Sequence, residues 1–282
     1  MRLIRNELLG HFDKKGVRFP VYSLDIQPNS SRLATCGGDS CVKLWNISLV
    51  VDKVDPSQSC LLATLTAHSK SVNVVRWSKE GRYLASGSDD GFCNIYEYTP
   101  GGISNQPFGS NSGATQKNVE CWTRCYTLSG HEMDVLDLDW CSDGSLASAS
   151  IDNRILIWQI PSSPSSSAGG MLTPRRVLTG HGSFVKGLSF DPLGKYLISS
   201  GSDNLVIVWD VEQGYKNVRT LEEPLRNSPD KTIFRRISWS PDGQSVCVTS
   251  AQKSNKPLGM VLKRGTWESV ADLVGHPTPS IS

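Results

Sequence analysis

Residues 130–158 show the clearest alternation of apolar and polar positions along the chain. Around Leu138 and Trp140, apolar side chains alternate with aspartates, which predicts a half-buried strand. A Ser-Asp-Gly turn signal follows, and residues 146–150 then supply a second apolar run. After a second turn with the sequence Ile-Asp-Asn, residues 155–158 are β-branched and aromatic. The pattern predicts three short strands joined by tight turns.

Four side chains in this stretch can bond one another if the three strands pair. They are His131, Ser148, Asp152 and Trp158. The aspartate can accept a hydrogen bond from the imidazole, the imidazole can bond the serine hydroxyl, and the hydroxyl can accept from the indole N–H. Every buried polar group in such a set has a partner. We therefore expect a structural relay that holds the strands together.

The same set recurs in three further stretches, residues 10–47, 67–96 and 180–210. In all four copies the hydroxyl residue precedes the aspartate by four positions, and the aspartate precedes the aromatic residue by six. The residues predicted to form the other relays are His11, Thr35, Asp39 and Trp45, then His68, Ser86, Asp90 and Tyr96, and then His181, Ser199, Asp203 and Trp209. Spacing this regular indicates an internal repeat of one β unit.

A fifth copy, at about residues 222–273, keeps the apolar pattern and the turn but loses the relay. Val248 and Gln252 stand where the hydroxyl residue and the aspartate are expected, and no histidine precedes them. We expect this unit to form by packing alone. A sixth copy opens at Gly275-His276. The predicted bounds of the five repeats are 10–65, 67–128, 130–178, 180–221 and 222–273.

Two inserts interrupt the period, at residues 99–117 and 161–174. Both are rich in Gly, Ser and Pro and poor in large apolar residues, so we expect both to be flexible. Each lies between the third and fourth strands of its repeat. Because consecutive strands alternate in direction, both inserts are predicted to leave the end of the sheets opposite the His and Asp turns.

These repeats resemble the WD-repeat family, whose fold is a β-propeller with four strands per blade. The resemblance covers essentially the whole chain and implies an all-β fold with about five complete blades, a sixth begun, and a place in a seven-bladed ring. Residues 2–9 have the alternation of the strand that closes such a ring. We therefore expect residues 1–282 to be a truncated form of a longer chain, with open strand edges that favour association.

The charge balance changes this picture little. Lys+Arg 29 against Asp+Glu 27 gives a net charge of +2, so we expect no direct sequence-specific binding of nucleic acid. No apolar run approaches about 20 residues, so we expect no membrane partner. The eight cysteines include no C-x-x-C pair and no histidine at metal-ligand spacing. This predicts buried reduced thiols, and neither a metal nor a cofactor.

Recurrence also argues against catalysis, because a Ser-His-Asp triad is needed once and this set occurs once per repeat. With no G-x-S-x-G elbow, phosphate-cradling loop or H-E-x-x-H helix, we predict a protein that is not an enzyme. What remains is the face formed by the loops that precede each first strand. Counting back from the end of each first strand picks out exposed partner-binding candidates, namely Tyr22, Asn73, Phe184, Lys186 and Arg235.

Six sequence segments lie outside the repeat consensus, namely PVYSLDIQP, VNVVRWS, FGSNSGATQKNVECW, FVKGLSFDPLGKY, IFRRISWSPDG and VLKRGTWESVADLVGH. Together they resemble the amino-terminal propeller of the histone regulator HIRA family. The resemblance implies a non-enzymatic subunit of a nuclear histone-chaperone complex that deposits histones independently of replication and affects transcription. The implied partners are the other chaperone subunits, with histones reached indirectly.

Two alternatives stay open. Similar text occurs in the WD-repeat subunit of chromatin assembly factor one, which would place the chain in a different histone-chaperone complex. A substrate receptor of a cullin ubiquitin ligase would usually show Trp-Asp-x-Arg after a third strand. The matching text here is WNIS, WQIP and WDVE, and none of the three carries the arginine.

Overall fold

The computed structural model describes residues 10–12, 15–51, 60–101, 118–162, 170–226, 228, 232–253 and 256–275. The expected closing strand at residues 2–9, the opening histidine of the sixth copy, and most of both inserts lie outside the described residues. The chain divides into two compact units. Unit 1 is drawn from residues 1–128 and 162–172, and unit 2 from residues 129–161 and 173–282.

Unit 1 contains a short antiparallel pair and two larger sheets. The short pair joins β1 (His11–Phe12) to β2 (Arg18–Phe19). Sheet 1 consists, in order, of β3 (Val21–Ile26), β4 (Arg32–Gly37), β5 (Val42–Asn46) and β6 (Leu61–Leu65), with the helix α1 (Ile47–Val51) between the last two. Sheet 2 consists of β7 (Val72–Trp77), β8 (Tyr83–Ser88), β9 (Cys93–Tyr98) and β10 (Trp122–Leu128).

Unit 2 contains three four-stranded antiparallel sheets. Sheet 3 consists of β11 (Val135–Trp140), β12 (Ser145–Ser150), β13 (Arg154–Gln159) and β15 (Arg176–Thr179). Sheet 4 consists of β16 (Val185–Phe190), β17 (Tyr196–Gly201), β18 (Val206–Asp210) and β19 (Lys216–Leu221). Sheet 5 consists of β20 (Ile237–Trp239), β21 (Ser245–Lys253), β22 (Lys256–Lys263) and β23 (Ser269–Val274).

Strands dominate the described residues, as the sequence pattern predicts. Apart from α1, the described helical structure is one 3₁₀ turn at Glu223–Leu225. The three strands expected in residues 130–158 appear as β11, β12 and β13, with Leu138 opposite Ser148 and Trp140 opposite Leu146. Gly144, in the predicted turn between the first two, has a φ of 82°, a conformation that glycine adopts without steric cost. The all-β prediction is confirmed.

One stretch of the second insert departs from expectation. Residues 170–172 were expected to be flexible, but Gly170–Leu172 form a strand, β14, that pairs in parallel with β10 at the outer edge of sheet 2. Main-chain pairing needs no apolar side-chain pattern, so a Gly-rich stretch can supply an edge strand that periodicity does not reveal. Sheet 2 is therefore five-stranded.

A bulge interrupts the first strand pair at the same place in each of the first four sheets. The register shifts between Val21 and Ser23, Val72 and Val74, Val135 and Asp137, and Val185 and Gly187. The extra residue has no opposite partner and turns its side chain out of the regular alternation. Sequence alternation alone does not reveal this bulge, because the flanking apolar residues keep their spacing.

Each unit is held together by apolar side chains between its own sheets. In unit 2, Leu188 and Phe190 of β16 pack with Ala147 and Ile157 of sheet 3. In unit 1, Val75 and Trp77 of β7 pack with residues of sheet 1. The equivalent side chains on β3, Leu24 and Ile26, are more than half exposed. Within the described part of unit 1, no further sheet therefore packs on the apolar side of β3.

Sheets 4 and 5 approach closely at Gly187, and a substitution there tests this packing. A Cβ atom on Gly187 would overlap the carbonyl oxygen of Arg235, and that oxygen accepts a hydrogen bond from the Ser200 hydroxyl at 2.6 Å. We therefore expect Gly187→Ala to force the two backbones apart and to lower stability by about 2 kcal/mol, measured as a shift of the thermal unfolding midpoint.

Gly182→Ala is the matched control, because a Cβ atom there meets nothing within 4 Å. We expect this second substitution to change stability by less than about 1 kcal/mol. Equal shifts of the unfolding midpoint in the two variants would show that the backbone contact at Gly187 does not constrain the packing of unit 2.

Candidate functional site

The relay in sheet 3 has the geometry expected from its residues. His131 Nδ1 lies 2.8 Å from Asp152 Oδ2, and His131 Nε2 lies 2.7 Å from Ser148 Oγ. The indole N–H of Trp158 donates to the same hydroxyl at 2.9 Å. A carboxylate can only accept a hydrogen bond, so His131 Nδ1–H donates to Asp152. The indole N–H can only donate, so the Ser148 hydroxyl accepts from Trp158 and donates its own hydrogen to His131 Nε2. A neutral imidazole satisfies every bond in this set.

The same contacts recur in sheets 1 and 4. In sheet 1, Thr35 takes the hydroxyl position, at 2.9 Å from His11 Nε2 and 2.8 Å from the indole nitrogen of Trp45. His11 Nδ1 bonds Asp39. In sheet 4 the four residues are His181, Asp203, Ser199 and Trp209, with distances between 2.8 and 3.0 Å for the shortest contact of each pair.

Sheet 2 builds a variant of the relay. His68 bonds Asp90 at 2.9 Å and Ser86 at 2.7 Å, but Tyr96 replaces the tryptophan and brings no indole N–H. The amide nitrogen of Asn94 lies 3.1 Å from His68 Nε2 and adds a polar neighbour. Burial raises the pKa of Tyr96 to about 12, so its hydroxyl stays neutral. The structure thus brings together the residues predicted for all four relays.

The relay aspartates of sheets 2, 3 and 4 each also fix two stretches of backbone. Asp152 accepts from the backbone N–H of Glu132, next to the histidine, and from that of Arg154 in its own turn. Asp203 does the same with Gly182 and Leu205. One carboxylate therefore ties the loop before the first strand to the turn between the second and third strands.

These bonds change the acidity of the carboxylates. Burial alone would raise the pKa of Asp90, but the hydrogen bond from His68, the attraction to its ring and two backbone N–H groups together lower it to about 2. The pKa values of Asp152 and Asp203 are lowered for the same reasons, with burial again opposing the bonds from the histidine. Burial also opposes the lowering of the pKa of Asp39, which comes from the bond and attraction to His11, the charge of Lys43 and the backbone N–H of Cys41. All four aspartates are therefore held as carboxylates.

Sheet 5 forms without this relay. Val248 is fully buried opposite Ile237, and Gln252 lies in the β21–β22 hairpin opposite Pro257. Polar contacts of another kind tie its strands to the backbone. Thr249 Oγ1 donates to the carbonyl of Arg236 at 2.7 Å, and Ser228 Oγ donates to that of Ser250 at 2.6 Å.

A second set of aspartates joins neighbouring sheets within each unit, and the sequence reasoning did not assign it. In unit 1, Asp25 Oδ2 accepts from the backbone N–H of Trp77 at 2.7 Å. In unit 2, Asp139 Oδ2 accepts from the backbone N–H of Phe190, also at 2.7 Å. The signal was present, since Asp25 and Asp139 occupy equivalent positions between apolar residues of a first strand. A carboxylate repeated there indicates a bond to the next sheet.

The predicted partner-binding residues are mostly not exposed. Of these residues Phe184 is 45% exposed and Tyr22 is half-buried, but Asn73, Lys186 and Arg235 are buried. The bulge explains the difference for Asn73 and Lys186, because each is the extra residue of its first strand. The count from the strand end placed them as though the strands were regular.

The buried members of this set bond the chain itself. Asn73 donates to Asp89 at 2.6 Å in unit 1. In unit 2, Lys186 Nζ donates to the carbonyl of Thr232 at 2.8 Å, and Arg235 donates to the carbonyl of Gly201 at 2.6 Å. These side chains hold loops in place, so they are unavailable as contact groups in this conformation.

An exposed apolar set does lie on the loops that precede the first strands of unit 2. Met133, Phe184 and Ile233 are 50, 45 and 62% exposed, one from each of its three sheets. Phe184 and Ile233 stand at the equivalent position of sheets 4 and 5, at the end of the sheets where the relay turns lie. We call these three residues the unit 2 apolar set. Exposed apolar side chains on fixed loops suit contact with a protein partner.

The described residues offer neither a metal site nor a membrane-spanning helix. There, no group of three His, Cys, Asp or Glu side chains is arranged to hold a metal ion. Nor does that part of the chain contain a helix with the length and apolar character needed to cross a membrane. The eight cysteines are free thiols, and burial raises the pKa of Cys125 to about 11, with nearby Glu97 adding to the rise.

Four-stranded sheets with a His-Ser/Thr-Asp-aromatic relay define the chain as a WD-repeat β-propeller protein. The model of the CAF1B/HIR1 beta-propeller domain matches residues 15–266. The chain therefore belongs to the CAF1B/HIR1 β-propeller family, which confirms the resemblance found in the sequence.

Curated relatives and a solved structure agree with this assignment. The chain is 36% identical to Protein HIR1 of Mycosarcoma maydis over 98% of its own length and 26% of the relative's. It is 34% identical to Protein hir1 of Schizosaccharomyces pombe, over 99% of its length and 29% of the relative's. It thus spans less than a third of either relative. A solved structure of the mitotic checkpoint complex matches with a TM-score of 0.65 at 20% identity, covering 95% of this chain and 68% of that one, which supports the fold alone.

Loss of the central hydroxyl tests the relay as a structural element. Ser148→Ala would leave His131 Nε2 and the Trp158 indole N–H without a partner in a buried site. Because unsatisfied buried polar groups carry their full desolvation cost, we expect a loss of about 2–3 kcal/mol in unfolding free energy, measured by denaturant titration. The exposed Ser142, replaced by alanine, is the control and should change stability by less than about 0.5 kcal/mol.

Acid should weaken the relays in a defined window. A carboxylate whose pKa is depressed on folding contributes stability above its unfolded pKa, and this contribution is lost as the pH falls through the folded pKa. For Asp90 the window lies between its ordinary value of 3.8 and about 2. We expect the thermal midpoint to fall across that window, with Asp90 accounting for about 2 kcal/mol.

Asp90→Asn should make the acid-induced fall of the midpoint shallower, because one linked proton is removed. Glu222→Gln, at an exposed carboxylate, is the control. A fall of the same depth in Asp90→Asn and in the unmodified chain would mean that the acid sensitivity comes from groups other than the relay.

Proposed function

We propose that this chain is the propeller of a non-enzymatic scaffold subunit in a nuclear histone-chaperone complex, which assembles nucleosomes independently of replication and regulates transcription. The observation that carries the proposal is the family match over residues 15–266. Its partners are the other subunits of that complex, with histones reached through them. It is proposed to act without a cofactor.

The geometry of the site supports a contact role. The ionisable residues that first suggest a hydrolase are used in the same way in four sheets, each bonded within its own sheet. A group that performs one reaction needs one distinctive environment, whereas these four environments are nearly alike. The relays of sheets 3 and 4 instead fix the loops that carry Met133 and Phe184, whereas Lys186 and Arg235 bond the backbone around the loop that carries Ile233.

The two rival interpretations differ in support. The family model covers both CAF1B and HIR1, so it does not separate the two histone-chaperone complexes, but the curated relatives described above bear the HIR1 name. For the ligase receptor, the sequence offers Trp209-Asp210-Val211-Glu212 in place of Trp-Asp-x-Arg. The Asp210 carboxylate accepts a hydrogen bond from the backbone N–H of Gln213 at 2.9 Å.

Affinity capture of the full-length protein from nuclei, followed by mass spectrometry, tests the proposal. We expect chaperone subunits and histones to be recovered together. Recovery of cullin adaptors without histones would contradict it, and recovery of the other chromatin assembly factor subunits would assign the chain to that complex instead.

A variant of the unit 2 apolar set connects the capture to this surface. We expect Phe184→Ala/Ile233→Ala to reduce recovery of the chaperone subunits at least fivefold, because two exposed apolar contacts are lost. Leu193→Ala is the matched control, since Leu193 is 69% exposed in the turn at the opposite end of β16. An equal loss in the control, or none in the double variant, would remove this surface from the proposal.

A further inference from the structure

Sheet 2 carries a strand that the other described sheets lack. β14 (Gly170–Leu172) lies beside β10, the fourth strand, and the two run parallel. Within the described residues, sheets 1, 3, 4 and 5 each end at their fourth strand. The outer edge of β10 therefore pairs with an added strand in this structure. The outer edges of the fourth strands in the other four sheets have no such strand among the described residues.

The resident strand covers less than half of this edge. Its register pairs Gly170 with Tyr126, Met171 with Thr127 and Leu172 with Leu128, while β10 begins four residues earlier at Trp122. No described strand pairs with that first part of β10 on its outer side. A three-residue parallel strand that begins with glycine and exposes 67% of Met171 is weakly held.

The first part of β10, beside which the described residues place no outer strand, carries an exposed cation. Arg124 is exposed and, among the described residues, makes no ion pair. It lies two residues ahead of Tyr126, so a parallel strand in the register of β14 would place opposite Arg124 the residue two positions before the one that pairs with Tyr126. The chain's own sequence ahead of β14, SPSSSAG at residues 163–169, contains no acidic residue that could neutralise Arg124.

We propose that the outer edge of β10 is a strand-addition site for an extended segment of a partner protein, which displaces Gly170–Leu172. The segment pairs in parallel and carries one or two carboxylates, followed by a small residue and two apolar ones. Addition of a strand to a sheet edge is a common mode of peptide recognition, in which backbone bonds give affinity and side chains give specificity. This proposal goes beyond the proposed function, because the binding site is formed by sheet 2 alone and does not depend on which complex contains the chain.

The side chains around the edge set the order of the segment's residues. A Cβ atom on Gly170 would lie 3.6 Å from Tyr126 Cδ1, an ordinary contact, so alanine fits there as well as glycine. A larger side chain would meet the buried Tyr126 ring. The carboxylate precedes this small residue by two or three positions, since β10 has a bulge between Arg124 and Tyr126 that can shift the register by one.

Fluorescence anisotropy with a labelled peptide of sequence SEEGGMLT tests the site on the purified full chain. This is the sequence of residues 166–173 with glutamate at positions 167 and 168, which covers both registers. We expect Met171→Pro/Leu172→Pro, which prevents the resident strand from pairing, to bind the peptide at least tenfold more tightly than the unmodified chain. Hydrogen exchange should show protection of the Tyr126–Leu128 amides when the peptide binds.

Charge reversal separates this site from unspecific peptide binding. In the background of the two prolines, Arg124→Glu should lower the affinity at least tenfold, and a peptide with lysine at the two glutamate positions should restore it. Arg219→Glu, at an exposed arginine of the outer strand β19, is the control and should have no effect.

Two results would overturn the proposal. One is a folded two-proline variant, shown by an unchanged thermal midpoint, that binds the peptide no more tightly than the unmodified chain. The other is binding that does not respond to the sign of the charge at residue 124. Either result concerns the edge of β10 alone, because nuclear capture of histones by the full-length protein can succeed or fail independently.

Discussion

The bond between a buried carboxylate and an imidazole is the interaction on which the described structure depends most. In four sheets it joins the loop before the first strand to the turn between the second and third strands. In sheets 1, 3 and 4 the hydroxyl then carries the link to the indole of the third strand. Buried polar groups are costly unless each has a partner, so this set stabilises one arrangement of three strands over its alternatives. The sheet without the set, sheet 5, relies on apolar packing and on hydroxyl bonds to its backbone.

The repetition of the relay limits which residues can take part in function. Residues that satisfy one another in four sheets are not free to serve a substrate, and they hold neighbouring loops at fixed positions. The repeats also differ at side chains outside the relay, such as Phe184 and Ile233, and at the sheet edges. Both kinds of feature suit contact with other proteins, which agrees with membership of the CAF1B/HIR1 β-propeller family.

Much of the fold could be predicted from the sequence because its determinants are local. The spacing of Ser148, Asp152 and Trp158 follows from strand length and turn length, which the chain repeats. The features that were not predicted depend on contacts between distant segments. The bulge at Lys186 removes an expected contact residue from the surface. The hydrogen bond that the Phe190 N–H donates to Asp139 joins equivalent strands of neighbouring repeats, about 50 residues apart in the sequence. The strand at Gly170–Leu172 forms through backbone bonds, which leave no side-chain pattern to detect.

We infer that the four relay residues act as one energetic unit, and a double-mutant cycle between Ser148 and Asp152 measures their coupling. These two side chains do not bond each other but share His131. The relay predicts that Ser148→Ala and Asp152→Ala are coupled by about 1 kcal/mol or more in unfolding free energy, whereas Ser148→Ala and Asp203→Ala, from different sheets, add independently. Additive effects of Ser148→Ala and Asp152→Ala would contradict the claim.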